Sequence, residues 1–390
     1  MAADPHFPSG PPAAAGTFHV KQSGLDYLEG ELGALETAGL LRVRATPTDA
    51  STRTFCSNDY LGLAARPFPG SHAGGAGASR LVLGDRPEHH LAEDAFAAYL
   101  GREAALLFPS GYAANVGLVS ALASRGDLLV SDALNHASLV DGARLSRATI
   151  KIVPHLDLGA VRAALEGRGS FRRAFVVTES YFSMDADSPD LIGLTGLCRT
   201  YDAALLVDEA HALGVLGPSG RGLAADPAVG ADAVVGTLGK SFGAGGAIVA
   251  GPQALRAWLW NRARSFVFTT GVSPALAGHA AANLEHVIAA DELRVAVQAR
   301  AEQLRTGMRQ LGLAPLGYGP VIPWVLGSPE LALEAAARLR ALGVLVQAIR
   351  PPTVPVGTAR LRFTVTAGHT PEDIEALLSH IAQVLPCLPR

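Results

Sequence analysis

Leu205-Leu206-Val207-Asp208-Glu209-Ala210-His211 and Ala233-Val234-Val235-Gly236-Thr237-Leu238-Gly239-Lys240 are the two stretches that decide the fold. Each is a short apolar run that ends in polar or turn-forming residues. Runs of this length and composition read as strands buried on both faces, as in a parallel sheet. Ligands of such sheets sit beyond the carboxyl ends of the strands. Asp208, His211 and Lys240 stand at or just past those ends, so they are the first candidates for chemistry.

Working outward, the same pattern recurs. Apolar strands are expected at 104–108, 128–130, 150–153, 175–178, 205–208, 233–236 and 246–250. Helical spacing separates several of them, at 112–122, 138–146, 160–166 and 191–201. Strands alternating with amphipathic helices predict an α/β fold with a mostly parallel seven-stranded sheet flanked by helices. Upstream, 25–42 predicts a helix with a stripe through Leu25, Leu28, Leu32, Leu35 and Leu40. The glycine-dense stretch 71–84 reads as a loop. Helical spacing resumes over 88–100 through Leu91, Ala95, Tyr99 and Leu100. Near residue 285 the pattern changes. A long helix (289–311), strands (322–326, 344–349, 360–365) and helices (331–342, 371–385) predict a smaller C-terminal α/β domain. Thr370 before Pro371 is a good helix start, with Thr370 as N-cap. The expected organisation is an N-terminal arm and helix (1–50), a large domain (51–285) and a small domain (286–390).

Composition bounds the function. The 390 residues are 49% hydrophobic and 17% charged, which suits a globular chain and not a disordered one. Lys plus Arg is 32 and Asp plus Glu is 35, so the basic surplus of a dedicated nucleic-acid binder is missing. Cys56, Cys198 and Cys387 are far apart, which suggests neither disulfides nor a metal site and points to a reducing, cytoplasmic compartment. The first residues, rich in proline and alanine, lack an apolar signal core and read as a mobile arm. The charge-free stretch 104–124 is broken by Pro109, Ser110, Gly111 and Asn115, so it does not read as a membrane span.

Two strings mislead. Asp208-Glu209-Ala210-His211 is the string DEAH, and VVGTLGKS (234–241) approaches a phosphate loop. Val234 occupies the first glycine position of that loop, and the two motifs come in the wrong order for a nucleotide hydrolase. No GxSxG elbow is present either. A different set of parts is coherent. Phe108–Asn115 (FPSGYAAN) is a strand-to-helix turn whose N–H groups suit a phosphate. With Asp208, Lys240, His211 and His136 at neighbouring strand ends, the parts for pyridoxal phosphate are complete.

The chain resembles the α-oxoamine synthases, of the fold-type I class of pyridoxal-phosphate enzymes. The resemblance rests on SNDYLGLA (57–64), FPSGYAAN (108–115), SDALNHASL (131–139), VVTESYFSMDAD (176–187), LLVDEAHALGVLGPSGRG (205–222), GTLGKSFGAGGA (236–247), FVFTTGVSP (266–274) and PPTVPVGTARLRF (351–363). Together, in this order, the set is highly specific.

The resemblance implies roles position by position. Lys240 matches the Schiff-base lysine, Asp208 the partner of the pyridine nitrogen and His211 the contact to the phenolic oxygen. His136 matches the histidine stacked on the ring. Ser110, Gly111, Tyr112 and Thr237 match phosphate contacts, and Thr270 a phosphate ligand given by the neighbouring subunit of a homodimer. Arg362 matches the arginine that takes the amino-acid carboxylate, a role suited to guanidinium geometry. Arg360, on the same strand, is expected to point to the opposite face. Asn58, Ser183 and Thr353 match substrate-side contacts, and Glu179 lies near the cofactor without an assigned role. SNDYLGL and PPTVPVGTARLRF are most similar to the members that condense L-alanine with a pimeloyl thioester in biotin synthesis. Members that use glycine and acetyl-CoA are the nearest alternative. Leu83 and Ala186 depart from the family pattern, at positions near its acyl-thioester channel.

Overall fold

The computed structural model describes residues 24–42, 52–70 and 73–388. It divides into two units, 1–46 and 47–390. In the first, the expected helix over 25–42 is shorter: α1 (Tyr27–Thr37) includes Leu28, Leu32 and Leu35, leaves Leu25 and Leu40 outside, and buries none of its residues. The expected N-terminal arm lies outside the described residues.

The second unit opens with β1 (Arg53–Thr54), followed by α2 (Pro87–Leu100). Then come β2 (Ala104–Phe108), α3 (Gly111–Leu122), β3 (Leu128–Asp132), α4 (Ala137–Ser146), β4 (Thr149–Val153), α5 (Leu158–Glu166), β5 (Ala174–Glu179), α6 (Leu191–Thr200), β6 (Ala203–Asp208), β7 (Ala233–Thr237) and β8 (Ala247–Gly251). Strands β2 to β8 make a seven-stranded sheet in the order β2-β8-β7-β6-β5-β3-β4. Only β8 runs against its neighbours, β2 and β7. The apolar runs are continuous because both faces are covered. Leu206, Phe175, Val177 and Val235 enter one core cluster, while Leu205, Val207, Val176 and Val234 enter another. Strand alternation divides them in this way.

Residues 253–288, for which the apolar pattern sets no expectation, form α7 (Gln253–Arg262), α8 (Arg264–Val267) and α9 (Pro274–Ile288). The expected division at 285/286 falls inside α9. After it come α10 (Asp291–Gln310), β9 (Val321–Gly327), α11 (Pro329–Ala341), β10 (Val344–Leu345), β11 (Gln347–Ile349), β12 (Ala359–Thr364) and α12 (Pro371–Val384). The expected strand 344–349 is thus two strands. One pairs with β1, and the other joins the antiparallel sheet β11-β12-β9. Thr370 caps α12 in a full capping box with Asp373, a device worth about 1 kcal/mol. Phe55 packs in the core of this smaller sheet with Ile322, Leu361 and Phe363. Leu61 and Leu63 pack beside the large sheet instead. The segment between them therefore crosses from one core to the other.

Two local readings are corrected. The stretch 71–84 is not wholly loop: Arg80–Gly84 is a π-helical turn. The carbonyl of Ser79 accepts from the N–H groups of Val82, Leu83 and Gly84. A Cβ on Gly84 would lie 1.9 Å from the Ala78 carbonyl oxygen, so this turn needs glycine. In α2, Leu91 is 61% exposed, whereas His89, Ala92, Glu93 and Phe96 are buried. Tyr99 and Leu100 of the expected stripe are buried, Ala95 is half-buried, and Leu91 is the residue that departs from it. A buried acid, Glu93, holds the core face by binding Arg80, Arg256 and the N–H of Leu107.

Candidate active site

The carboxyl ends of β5, β6 and β7 assemble the centre of the site. Glu179 and Asp208 are register partners on β5 and β6, and Asp208 pairs with Val235 of β7. Beyond β7 the chain turns through Lys240, whose carbonyl accepts from the Gly243 N–H at 2.9 Å. Gly243 has φ +57°, and a Cβ there would lie 2.3 Å from the backbone of Leu63. Glycine thus lets the lysine turn lie against the 57–64 segment.

Lys240 Nζ is 2.6 Å from His211 Nε2, and the Tyr60 hydroxyl is 2.7 Å from His211 Nδ1. Burial pushes the Lys240 amine down to about 8, against the opposing pull of Asp208 and Glu179. Burial also drives His211 well below the usual imidazole value, helped by Lys240 and Arg362. Both bases are therefore neutral or nearly so at mildly alkaline pH. Glu179, buried beside Asp208, is pushed up to about 8. Its Oε1 accepts the backbone N–H of His136 at 2.7 Å.

His136 is the N-cap of α4, with Nδ1 accepting the Ser138 N–H. Asp208 Oδ1 accepts the Ala210 N–H at 2.8 Å, and its Oδ2 accepts Asn115 Nδ2 at 2.6 Å. Asn115 Nδ2 also reaches Ser138 Oγ, and Ser138 Oγ reaches His136 Nδ1. Asp208, Asn115, Ser138 and His136 are thus one connected network.

An anion cradle lies at the start of α3. Ser110 caps the helix by accepting the Ala113 N–H, which leaves the N–H groups of Gly111 and Tyr112 at its open end. The Cβ position of Gly111 is 3.5 Å from Thr237 Cβ, so the end of β7 meets this turn. Helix N-termini of this kind bind phosphate through N–H groups and the helix dipole. The Tyr112 hydroxyl donates to Asp141 and not into the cradle.

Arg362 on β12 donates from Nε to the Ser183 carbonyl (2.6 Å) and from Nη1 to Asn58 Oδ1 (3.1 Å). Its Nη2 is buried without a hydrogen-bond partner. A carboxylate is the group that such an orphaned guanidinium nitrogen would take. The expectation for Arg360 is corrected here. Residues two apart on a strand share a face, and Arg360 lies beside Arg362, donating to the Met184 carbonyl (2.8 Å) and Asp185 Oδ1 (2.7 Å). Both arginines grip one loop, and Arg360 is already spent on Asp185.

The structure thus brings together Lys240, His211, Asp208 and His136, and joins Arg362 to Asn58 and Ser183. Thr270 is exposed between α8 and α9. Thr353 is exposed before β12, with its N–H on the Arg350 carbonyl. The bonds that tie Lys240, His211, Asp208 and His136 into place run through neither threonine. Tyr60, Asn115 and Ser138 carry no role in the sequence reading. All three stand inside the quoted motifs, but nothing local shows which atoms they would touch.

The model for "Aminotransferase class I and II" matches residues 53–381. An 8-amino-7-oxononanoate synthase from Anaeromyxobacter dehalogenans is 45% identical over 94% of this chain and 97% of its own. One from Methylococcus capsulatus is 46% identical over 85% of this chain and 89% of its own. Among solved structures, serine palmitoyltransferase from S. paucimobilis, with a pyridoxal phosphate–myriocin adduct bound, superposes with a TM-score of 0.86. It is 26% identical, over 93% of this chain and 98% of its own. With the family model spanning most of the chain and these relatives matching it nearly end to end, the chain belongs to the class I and II aminotransferase family and, within it, to the 8-amino-7-oxononanoate synthases.

Proposed function

We propose that this chain is a pyridoxal phosphate-dependent acyltransferase that joins L-alanine to a pimeloyl thioester. The products are 8-amino-7-oxononanoate, the free thiol and carbon dioxide, a step of biotin synthesis. We further propose that it works as a cytoplasmic homodimer, with Thr270 serving the neighbouring subunit's site. No helix among the described residues is long and apolar enough to cross a membrane. The observation that carries the reading is Lys240 Nζ lying 2.6 Å from His211 Nε2, in the turn that follows the strand beside that of Asp208, in a chain so similar to known synthases.

The residues suit the cofactor. The open N–H groups of Gly111 and Tyr112, with Ser110 and Thr237, would hold its phosphate. Asp208, acceptor-only as a carboxylate, would keep the ring nitrogen protonated. His211 would meet its phenolic oxygen, His136 would cover one ring face, and Lys240 Nζ would hold it covalently. Bound there, the cofactor supplies an electron sink for the pair left at the amino acid's α-carbon. The chain's own residues do the rest. Arg362 Nη2, with Asn58, Ser183 and Thr353 nearby in the family pattern, would orient the amino-acid carboxylate. Lys240 Nζ, neutral above about pH 8, is the atom that would take the α-proton and return one after carbon dioxide leaves.

The test is free-thiol release from a matrix of alanine, glycine and serine against pimeloyl, acetyl, succinyl and palmitoyl thioesters. Release with alanine plus pimeloyl thioester alone is expected. Preference for glycine plus acetyl-CoA, or for serine plus palmitoyl-CoA, would overturn the substrate assignment.

A further inference from the structure

We propose that Asn115 and Ser138 are positioning residues that lock His136 in the neutral tautomer protonated on Nε2, which makes His136 a hydrogen-bond donor to the site and not a proton acceptor. Donors and acceptors along the network that runs from buried Asp208 through Asn115 and Ser138 to His136 admit one assignment. As a carboxylate, Asp208 only accepts. Asn115 Nδ2 is 2.6 Å from Asp208 Oδ2 and 2.9 Å from Ser138 Oγ, one hydrogen for each. Turned over, the amide would set its own oxygen against the carboxylate, so Asp208 fixes its orientation. Asn115 Oδ1 is left buried without a partner as the cost of that choice.

Ser138 Oγ carries one hydrogen. Oγ can accept from Asn115 and still donate that hydrogen to His136 Nδ1, 2.7 Å away. The Ser138 backbone N–H, which can only donate, points at the same nitrogen at 3.2 Å and requires it to be an acceptor. With two donors on Nδ1, no proton fits there, and the single N–H of a neutral imidazole must sit on Nε2. Asn115 and Ser138 are buried, so bulk water does not compete for these bonds.

The groups around the ring agree. Burial holds His136 below the usual imidazole value, and Lys240 pushes the same way while Asp208 opposes. Glu179 holds the residue through its backbone N–H, so it leaves the ring nitrogens untouched. His211, the other nearby imidazole, is also held neutral by burial. Nε2 makes no hydrogen bond to another described residue. His136 thus offers a fixed N–H, and proton uptake falls to Lys240. Only the use made of that N–H rests on the proposed function.

The test reads the ring directly. Protein labelled with 15N-histidine and stripped of cofactor is examined by NMR, with His136 identified by its loss in His136→Gln. The expected wild-type spectrum at pH 7.5 has an acceptor-type Nδ1 and a protonated Nε2. A protonated Nδ1, an imidazolium, or mixed tautomers in that spectrum would by themselves overturn the proposal. Ser138→Ala and Asn115→Ala each weaken the donation to Nδ1. Hydrogen bonds to the neutral form disfavour the charged one, so each variant should raise the His136 pKa by about one unit. In the loaded enzyme, Ser138→Ala should lower kcat about tenfold, as loss of an outer hydrogen-bond partner does at other sites, with amino-acid KM and cofactor absorbance unchanged. An unmoved His136 pKa in both variants would sink the positioning role. A correct tautomer in a protein that fails the thioester matrix would instead fault the substrate assignment.

Discussion

His211 and His155 are both partly or wholly buried histidines at the carboxyl ends of the same sheet, and they hold opposite charge states. His211 faces Lys240 Nζ and the Tyr60 hydroxyl, so burial and neighbouring cations drive it neutral. His155 faces Asp132 Oδ1 at 2.9 Å and Asp187 Oδ2 at 3.2 Å, with Phe182 against its ring. Burial alone would lower His155, but the two carboxylates outweigh it and push the imidazole up to about 10. Residue type and strand-end position are therefore not enough to assign a chemical role. The neutral region can exchange protons near physiological pH. The charged region is a clamp: it ties β3 to the 182–187 loop, which Arg360 and Arg362 grip from the other side.

The largest effect should come from the neutral region. Lys240→Ala is expected to cut turnover by about 10⁴-fold or more and to abolish the cofactor's visible absorbance at Lys240, while leaving thermal stability near that of the parent. Turnover within tenfold of the parent would remove Lys240 from the chemistry and, with it, the reason for the contrast.

Next comes the link between the two regions. Arg362→Gln removes the free Nη2, so amino-acid KM should rise by about 10- to 100-fold, the scale of a lost charge-assisted hydrogen bond. The same change removes a cation that depresses both His211 and Lys240. The alkaline shift of the pH–rate profile reads that second effect. An unchanged KM would place the carboxylate contact elsewhere.

The clamp is tested by His155→Gln, expected to cost about 2–3 kcal/mol of unfolding free energy at pH 7, by loss of charge-assisted hydrogen bonds. Its folded pKa lies above its unfolded value, so its contribution is full below about 6.5 and fades as pH rises through about 10. The parent should therefore converge on the variant in urea melts between pH 7 and pH 10. A cost that is the same at pH 10 as at pH 6 would mean that packing on Phe182, not charge, is what His155 contributes.

The smallest effect is expected at Ala186, buried in that loop with φ +59°. Relieving a left-handed alanine returns about 1 kcal/mol, and losing a buried methyl costs about 0.8 kcal/mol. Ala186→Gly should leave stability nearly unchanged. A loss above about 1.5 kcal/mol would show the methyl to be a packing element of the loop.

Much of the fold is readable because its signals are local. The apolar runs of β5, β6 and β7 stop at Glu179, Asp208 and Thr237, and the Thr370 cap sits where its dipeptide indicates. Leu91 shows the limit. Its spacing is correct for a helix, yet it faces solvent while the acid Glu93 is buried, because Glu93's partners Arg80 and Arg256 lie elsewhere in the chain. The site divides in the same way. Asp208, His211 and Lys240 stand out by position, whereas Tyr60, Asn115 and Ser138 matter through partners that no spacing rule connects. Arg360 and Arg362, expected on opposite faces, share one because they are two residues apart. Only the contacts with Met184, Asp185 and Ser183 distinguish the occupied arginine from the one with a free nitrogen.

By itself, the sequence determined the strands of the large sheet and which reactive side chains stand near their ends, because buried strands demand unbroken apolar runs and polar residues collect where the runs stop. Tertiary structure decided the charge on each histidine, the tautomer of His136, the nitrogen of Arg362 that stays open and the lysine held near neutrality. Those properties depend on desolvation and on partners within a few ångströms, and such partners arrive from residues far apart along the chain.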